Sequence, residues 1–142
     1  MTEKPAFRSA FKARRCLIPT NGFYEWEKTP DGKQPYLIGF KDGRPFSMAG
    51  LWEIWRNRES EETVESYTII TGEPNEVAER IHNRMPVIIA PPDFDRWLAG
   101  SGSPVDLLKP YPPTEMTAYP VSRAVNSPAK DEPSLIERVV RA

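Results

Sequence analysis

Cys16-Leu17-Ile18-Pro19-Thr20-Asn21-Gly22-Phe23-Tyr24-Glu25-Trp26-Glu27-Lys28-Thr29-Pro30-Asp31-Gly32-Lys33-Gln34-Pro35-Tyr36-Leu37-Ile38-Gly39-Phe40 is the stretch that decides the fold class. Cys16 to Ile18 and Phe23 to Glu27 read as strands, being rich in apolar and aromatic residues that suit a pleated, half-buried surface. Thr29-Pro30-Asp31-Gly32-Lys33 is a hairpin turn between them and Pro35 to Phe40, with Gly32 free to take positive φ. A second turn, Lys41-Asp42-Gly43-Arg44, leads into Phe46 to Trp52. The whole stretch reads as an antiparallel meander, the scaffold of the protein.

Working outward, Arg56 to Glu65 is polar and reads as a surface loop, after which Ser66 to Thr71 resumes strand character. Pro74 suits a first helical turn, and Val77, Ala78 and Ile81 fall at helical spacing, which predicts a helix that ends before Pro86. Met85 to Ala90 reads as an apolar strand, Pro91 to Leu98 as a short helix begun by proline, and Gly100 to Pro104 as a loop. Met116 to Ser122 is a further expected strand and Leu135 to Val140 a terminal helix. Sixteen prolines among 142 residues, about twice the usual ~5%, leave little room for long helices. The expected fold is therefore α+β, a single domain over residues 1–142 with a mainly antiparallel, meander or barrel-like sheet and short flanking helices.

The totals exclude several functions. One cysteine, Cys16, allows no internal disulfide, and one cysteine with one histidine cannot supply an ordinary structural zinc site. No metal and no cofactor is expected, and no closely spaced pair of carboxylates has metal-ligand character. No apolar run approaches a membrane span and Met1 to Pro5 has no apolar signal core, so the expectation is a cytoplasmic protein without a membrane partner, acting as a monomer. Net charge is −1, but its distribution is uneven. Residues 1–20 hold Lys4, Arg8, Lys12, Arg14 and Arg15 against Glu3, a net +4, whereas residues 53–65 hold five glutamates against Arg56 and Arg58, a net −3. The basic end can face phosphate, or it is simply a solvated helix face.

Two residues stand out as proton carriers. Glu25 interrupts the aromatic run Phe23, Tyr24, Trp26, and a carboxylate beside aromatic rings is partly desolvated, which raises its pKa toward a useful range. The competing reading is an exposed glutamate paired with Lys28 or Lys33. His82, the single histidine, is the default general acid/base by residue type and is placed near a predicted helix end, where the carbonyls favour an imidazolium. A structural cap is the alternative there. Arg84, just beyond, can hold a phosphate or carboxylate. Cys16 reads as a buried thiol.

Arg14-Arg15-Cys16-Leu17-Ile18-Pro19-Thr20-Asn21-Gly22-Phe23-Tyr24-Glu25-Trp26, then Met48-Ala49-Gly50-Leu51-Trp52-Glu53, then Ile81-His82-Asn83-Arg84-Met85-Pro86 resemble, in order, the SRAP family of SOS-response-associated peptidases or abasic-site-processing proteins. Thr68-Ile69-Ile70-Thr71 and Tyr119 to Asn126 also match. The resemblance implies a DNA damage protein that recognises abasic sites in single-stranded DNA and crosslinks to them. In the family an amino-terminal cysteine attacks the opened sugar through its amine and closes a thiazolidine with its thiol. The resemblance further implies that Glu25 and His82 are catalytic, assisting sugar opening and proton transfer, and that Arg14, Arg15, Trp26, Thr71 and Arg84 contact the DNA.

Family members begin Met-Cys-Gly-Arg, with an Asn-Ala-Arg segment ahead of the stretch matched by Lys4-Pro5-Ala6-Phe7. This chain starts after both, with Thr2 at position two, so the expectation is an SRAP-like domain incomplete at its amino terminus and impaired in stable crosslinking. A Thr2 amine forming a reversible imine, and hence lyase activity, is a variant of that expectation. Two other readings stand beside it. One is a noncatalytic single-stranded DNA-binding module using the basic first twenty residues with Trp26 and Trp52. The other is a cysteine peptidase, a hydrolase that would have to use Cys16.

Overall fold

The structure is a computed structural model that describes residues 5–100 and 102–140. In chain order it comprises helix α1 (Pro5–Ala13), strands β1 (Arg15–Thr20), β2 (Phe23–Thr29), β3 (Gly32–Phe40), β4 (Phe46–Arg56), β5 (Thr63–Ile69), β6 (Thr71–Gly72), β7 (Met85–Pro86) and β8 (Ile88–Ile89), helix α2 (Phe94–Leu98) and strand β9 (Met116–Pro120). The α+β class holds, with antiparallel pairing of β2 with β3, β3 with β9, β4 with β5 and β4 with β8. Among the described residues no sheet closes into a barrel. The chain divides into two compact units, residues 1–19, 46–72 and 86–109, and residues 20–45, 73–85 and 110–142.

In the first unit the sheet order is β1-β4-β5, with β8 also on β4. Strands β4 and β5 pair from Gly50↔Ile69 to Arg56↔Thr63, so the expected loop over Arg56 to Glu65 is shorter and both strands run further outward. Main-chain pairing tolerates polar side chains where both faces meet water, which is why polarity alone misplaced that boundary. Gly50 permits a close approach: a Cβ there would stand 2.1 Å from Ile18 Cδ1 and 2.9 Å from Cys16 Sγ. Helix α1 agrees with the helix-face reading of the basic amino-terminal stretch, but its apolar side was not expected from the sequence. Phe7, Ala10 and Phe11 recur at helical spacing between charges, and Ala10 and Phe11 join Ala49, Leu51, Ile70 and Trp97 in the apolar core.

The second unit holds the sheet β2-β3-β9. The β2–β3 hairpin turns at Gly32, whose φ is 107° as the turn requires. Here the continuous meander expectation fails: β3 pairs β9 on its other edge, and the turn at Lys41 to Arg44 carries the chain into the other sheet. A partner some 80 residues downstream leaves no local mark near β3. Ile38, Met116 and Val121 are buried in this unit.

Two expected helices are absent. Residues 76–81 form consecutive turns, because the Asn75 side-chain oxygen takes the N–H groups of Val77 and Ala78, both at 3.1 Å, and competes with a regular ladder. So short a segment between prolines has little helical stability of its own. The carboxyl-terminal segment makes one 3-10 turn, Pro133–Ile136, and then bridges Val121 through Arg138. Tyrosine hydroxyls of Tyr24 and Tyr119 donate to the carbonyls of Leu135 and Ile136, which ties this segment to the sheet instead.

Candidate functional site

Strand β2 sets Glu25 directly across from Tyr36 of β3 and two residues from Glu27, so the three share one sheet face. The Tyr36 hydroxyl donates to Glu27 Oε2 at 3.0 Å. Glu25 is half-buried, with 22% of its side chain exposed, and its Oε2 lies 3.8 Å from Nδ1 of His82. Burial pushes the Glu25 carboxyl above its ordinary range; the charge of His82 and the Trp26 main-chain N–H pull it partly back. This is the environment the aromatic run around Glu25 implies, and neither Lys28 nor Lys33 is its partner.

His82 is held from behind by the turn segment rather than by a helix end, so the helix-dipole argument made from sequence does not apply. Its main-chain N–H donates to Ala78 at 3.0 Å. Ala78 is fully buried, and Asn75 anchors the segment by donating through Nδ2 to the carbonyl of Tyr111 at 2.7 Å. His82 Nδ1 lies 3.2 Å from the Arg84 main-chain nitrogen and 3.3 Å from the Arg84 carbonyl oxygen. A neutral ring can therefore accept from Arg84 N–H, and a protonated Nδ1 can donate to the Arg84 carbonyl or to Glu25. Both protonation states find a partner without a change of backbone, which suits a group that passes protons.

Trp26 follows Glu25 on β2, its indole N–H donating to Asn126 Oδ1 at 2.7 Å while its ring lies 6.4 Å from that of Tyr24. Glu25, His82, Trp26 and Arg84 thus all belong to the second unit. Asn75, Tyr36 and Asn126 were not singled out from the sequence. An asparagine just after a proline is the one local signal among them; the others depend on pairing.

Arg14, Arg15 and Thr71 belong to the first unit. Arg14 makes an ion pair with Glu53 at 2.7 Å and donates to the Trp52 carbonyl at 3.3 Å. Arg15, expected at phosphate, is 7% exposed and donates to the carbonyls of Trp97 at 2.6 Å, Phe11 at 2.5 Å, Lys12 and Ala99. Its guanidinium also stands 5.9 and 5.8 Å from the ring centres of Phe11 and Trp97. That placement assigns it to the core, where it satisfies the carbonyls at the ends of α1 and α2. Burial pushes the Cys16 thiol up, the wrong direction for a nucleophile. Thr2 lies outside the described residues. Among the described residues no three or more His, Cys, Asp or Glu side chains gather as metal ligands, and no helix is long and apolar enough to cross a membrane.

Comparison with known proteins places this geometry in context. A family model described as SOS response associated peptidase (SRAP) matches residues 1–128. The abasic site processing protein YoqW of Bacillus subtilis is 42% identical over 142 positions, covering 96% of this chain and 63% of the relative. The abasic site processing protein HMCES of Xenopus tropicalis is 34% identical, covering 99% of this chain and 48% of its own length. The chain therefore spans less than two thirds of the curated relatives it matches. A solved protein structure from Bacteroides thetaiotaomicron superposes with a TM-score of 0.90 at 32% identity, over 98% of this chain and 62% of that one.

Proposed function

The chain belongs to the SOS response associated peptidase (SRAP) family, and from that premise we propose that it acts on abasic sites in single-stranded DNA, as part of a DNA damage response. The observation that carries the reading is the Glu25–His82 pair, 3.8 Å apart, with the Glu25 carboxyl raised by burial. A carboxyl raised by burial, set beside an imidazole, can take and return a proton during a reaction. The relatives YoqW and HMCES carry the name abasic site processing protein, which points the pair toward a sugar.

The step the pair performs is opening of the abasic sugar. One member takes the proton of the anomeric hydroxyl while the other protonates the ring oxygen; the bond from the anomeric carbon to that oxygen breaks, leaving an aldehyde and a hydroxyl. The aldehyde is the electrophile an amine needs, so sugar opening precedes any imine or crosslink. In the second unit, Trp26 presents an aromatic face to a neighbouring base and Arg84 faces phosphate. In the first unit Arg14 and Thr71 are the proposed DNA contacts, Arg14 by exchanging Glu53 for a phosphate. The raised Cys16 thiol argues against the peptidase reading.

The test separates sugar opening from crosslinking. Methoxyamine captures only the open aldehyde, so its reaction with an abasic oligonucleotide should be faster in the presence of the chain. Glu25→Gln and His82→Ala should each abolish the acceleration. Capture at the uncatalysed rate with the unaltered chain would refute the reading. Equal affinity for intact and abasic strands would favour a noncatalytic DNA-binding module.

A further inference from the structure

The β4–β5 hairpin carries an exposed apolar surface that the DNA reading does not use. Trp52 and Tyr67 are direct cross-strand partners and share a face with Ile54 and Glu65. Tyr67 is 66% exposed, Ile54 46% and Trp52 39%. On the Trp52–Tyr67 face lies a groove of about 720 Å³, floored by Cys16 and Ile18, walled by the two rings and rimmed by Glu53 and Glu65. Apolar side chains left in water in such density mark a surface that binds something.

Charge decides what kind of partner fits. The residues that line the groove include two carboxylates, Glu53 and Glu65, and no lysine or arginine. Glu53 is held by Arg14, but Glu65 makes no ion pair among the described residues. Such a face repels phosphate, and it repels a second copy of the same hairpin. It attracts cations, and aromatic faces beside a carboxylate hold lysine or arginine side chains well. Strand β5 ends the sheet path, so its outer edge has no strand partner among the described residues and offers main-chain groups to an arriving segment.

We propose that this hairpin is a docking site for an extended, basic and apolar polypeptide segment of another protein. The segment adds alongside β5, and its long cationic side chains reach over Tyr67 toward Trp52 and Glu65. The site lies wholly within the first unit and does not depend on the Glu25–His82 chemistry.

The probe is a synthetic peptide of alternating lysine and valine, titrated against the full chain by fluorescence anisotropy. It should bind, whereas a matched peptide of alternating glutamate and valine should not. Glu65→Lys should weaken binding about tenfold and Tyr67→Ser by a similar factor, within the range of a cation over a partly desolvated ring. Both side chains are exposed, so circular dichroism should be unchanged. N-methylation of alternate peptide bonds in the probe should remove binding, because an added strand needs its N–H groups. Four results would each overturn the proposal: equal binding of both peptides, indifference to Glu65→Lys, competition by oligothymidylate with the same variant dependence, or concentration-dependent self-association in sedimentation that Tyr67→Ser abolishes.

Discussion

The β2–β3 and β4–β5 hairpins are built on the same antiparallel ladder, seven paired residues each, and both carry glutamates beside aromatic rings. They end with opposite chemistry. The first gains β9 along its edge, and the turn segment that holds His82 shields Glu25, whose carboxyl is raised. The second has an open edge and an outer half exposed on both faces, and its glutamates are exposed. Residue type and strand spacing are alike in the two hairpins; what separates the raised Glu25 carboxyl from an exposed glutamate is burial.

That contrast can be broken from either side. The largest effect should come from the covered hairpin: Glu25→Gln or His82→Ala is expected to slow abasic-sugar opening, read by methoxyamine capture, by roughly 10²- to 10⁴-fold, the usual worth of general acid–base catalysis. Glu61→Gln at the tip of the open hairpin should leave the rate unchanged.

Loosening the cover without touching the pair gives the next largest change. Asn75 is buried and accepts from Val77 and Ala78 while donating to Tyr111. Asn75→Ala should cost about 1 to 3 kcal/mol in denaturant unfolding, from buried groups left without partners. The opening rate should fall with it as His82 loses its fixed position. Full activity in this variant would show that the turn segment does not hold the pair.

A pH titration of stability sharpens the comparison further. The folded pKa of Glu25 lies above its unfolded value, near 4.3 for an ordinary glutamate. The folded state therefore binds more protons than the unfolded one through this window, and stability falls as pH rises through it. Wild type should lose stability relative to Glu25→Gln as pH climbs from about 4 through the raised value. Parallel curves for Glu25→Gln and wild type would place Glu25 in water.

The smallest effect belongs to the open hairpin's own ion pair. Glu53 is 53% exposed and Arg14 24% on their side chains. Glu53→Ala should change stability by no more than about 1 kcal/mol, since solvent screens such pairs.

Much of the site was legible because its signals are local. Glu25 among aromatics, a single histidine followed by Arg84, and a Thr-Pro-Asp-Gly turn each carry their physics within a few residues. The order of the Glu25, Gly50 and His82 motifs was enough to place the chain in its family. Arg15 shows where that reading stops. Its neighbours in sequence suggest a basic patch, yet its guanidinium is fixed by the Trp97 and Ala99 carbonyls, more than eighty residues away. Nothing near position 15 announces them.

By itself, then, the sequence determined the strand character of β1 to β4, the positive-φ turn at Gly32, the choice of Glu25 and His82 as candidates and the family, all of which rest on side-chain chemistry and spacing along the chain. The tertiary structure alone decided that β3 turns to β9, that Asn75 replaces a helix with turns, that Arg15 is core, and that Glu25 is covered while Glu65 is not. Those outcomes depend on which distant groups arrive to satisfy a hydrogen bond or exclude water, and burial is a property of the folded neighbourhood, not of the residue.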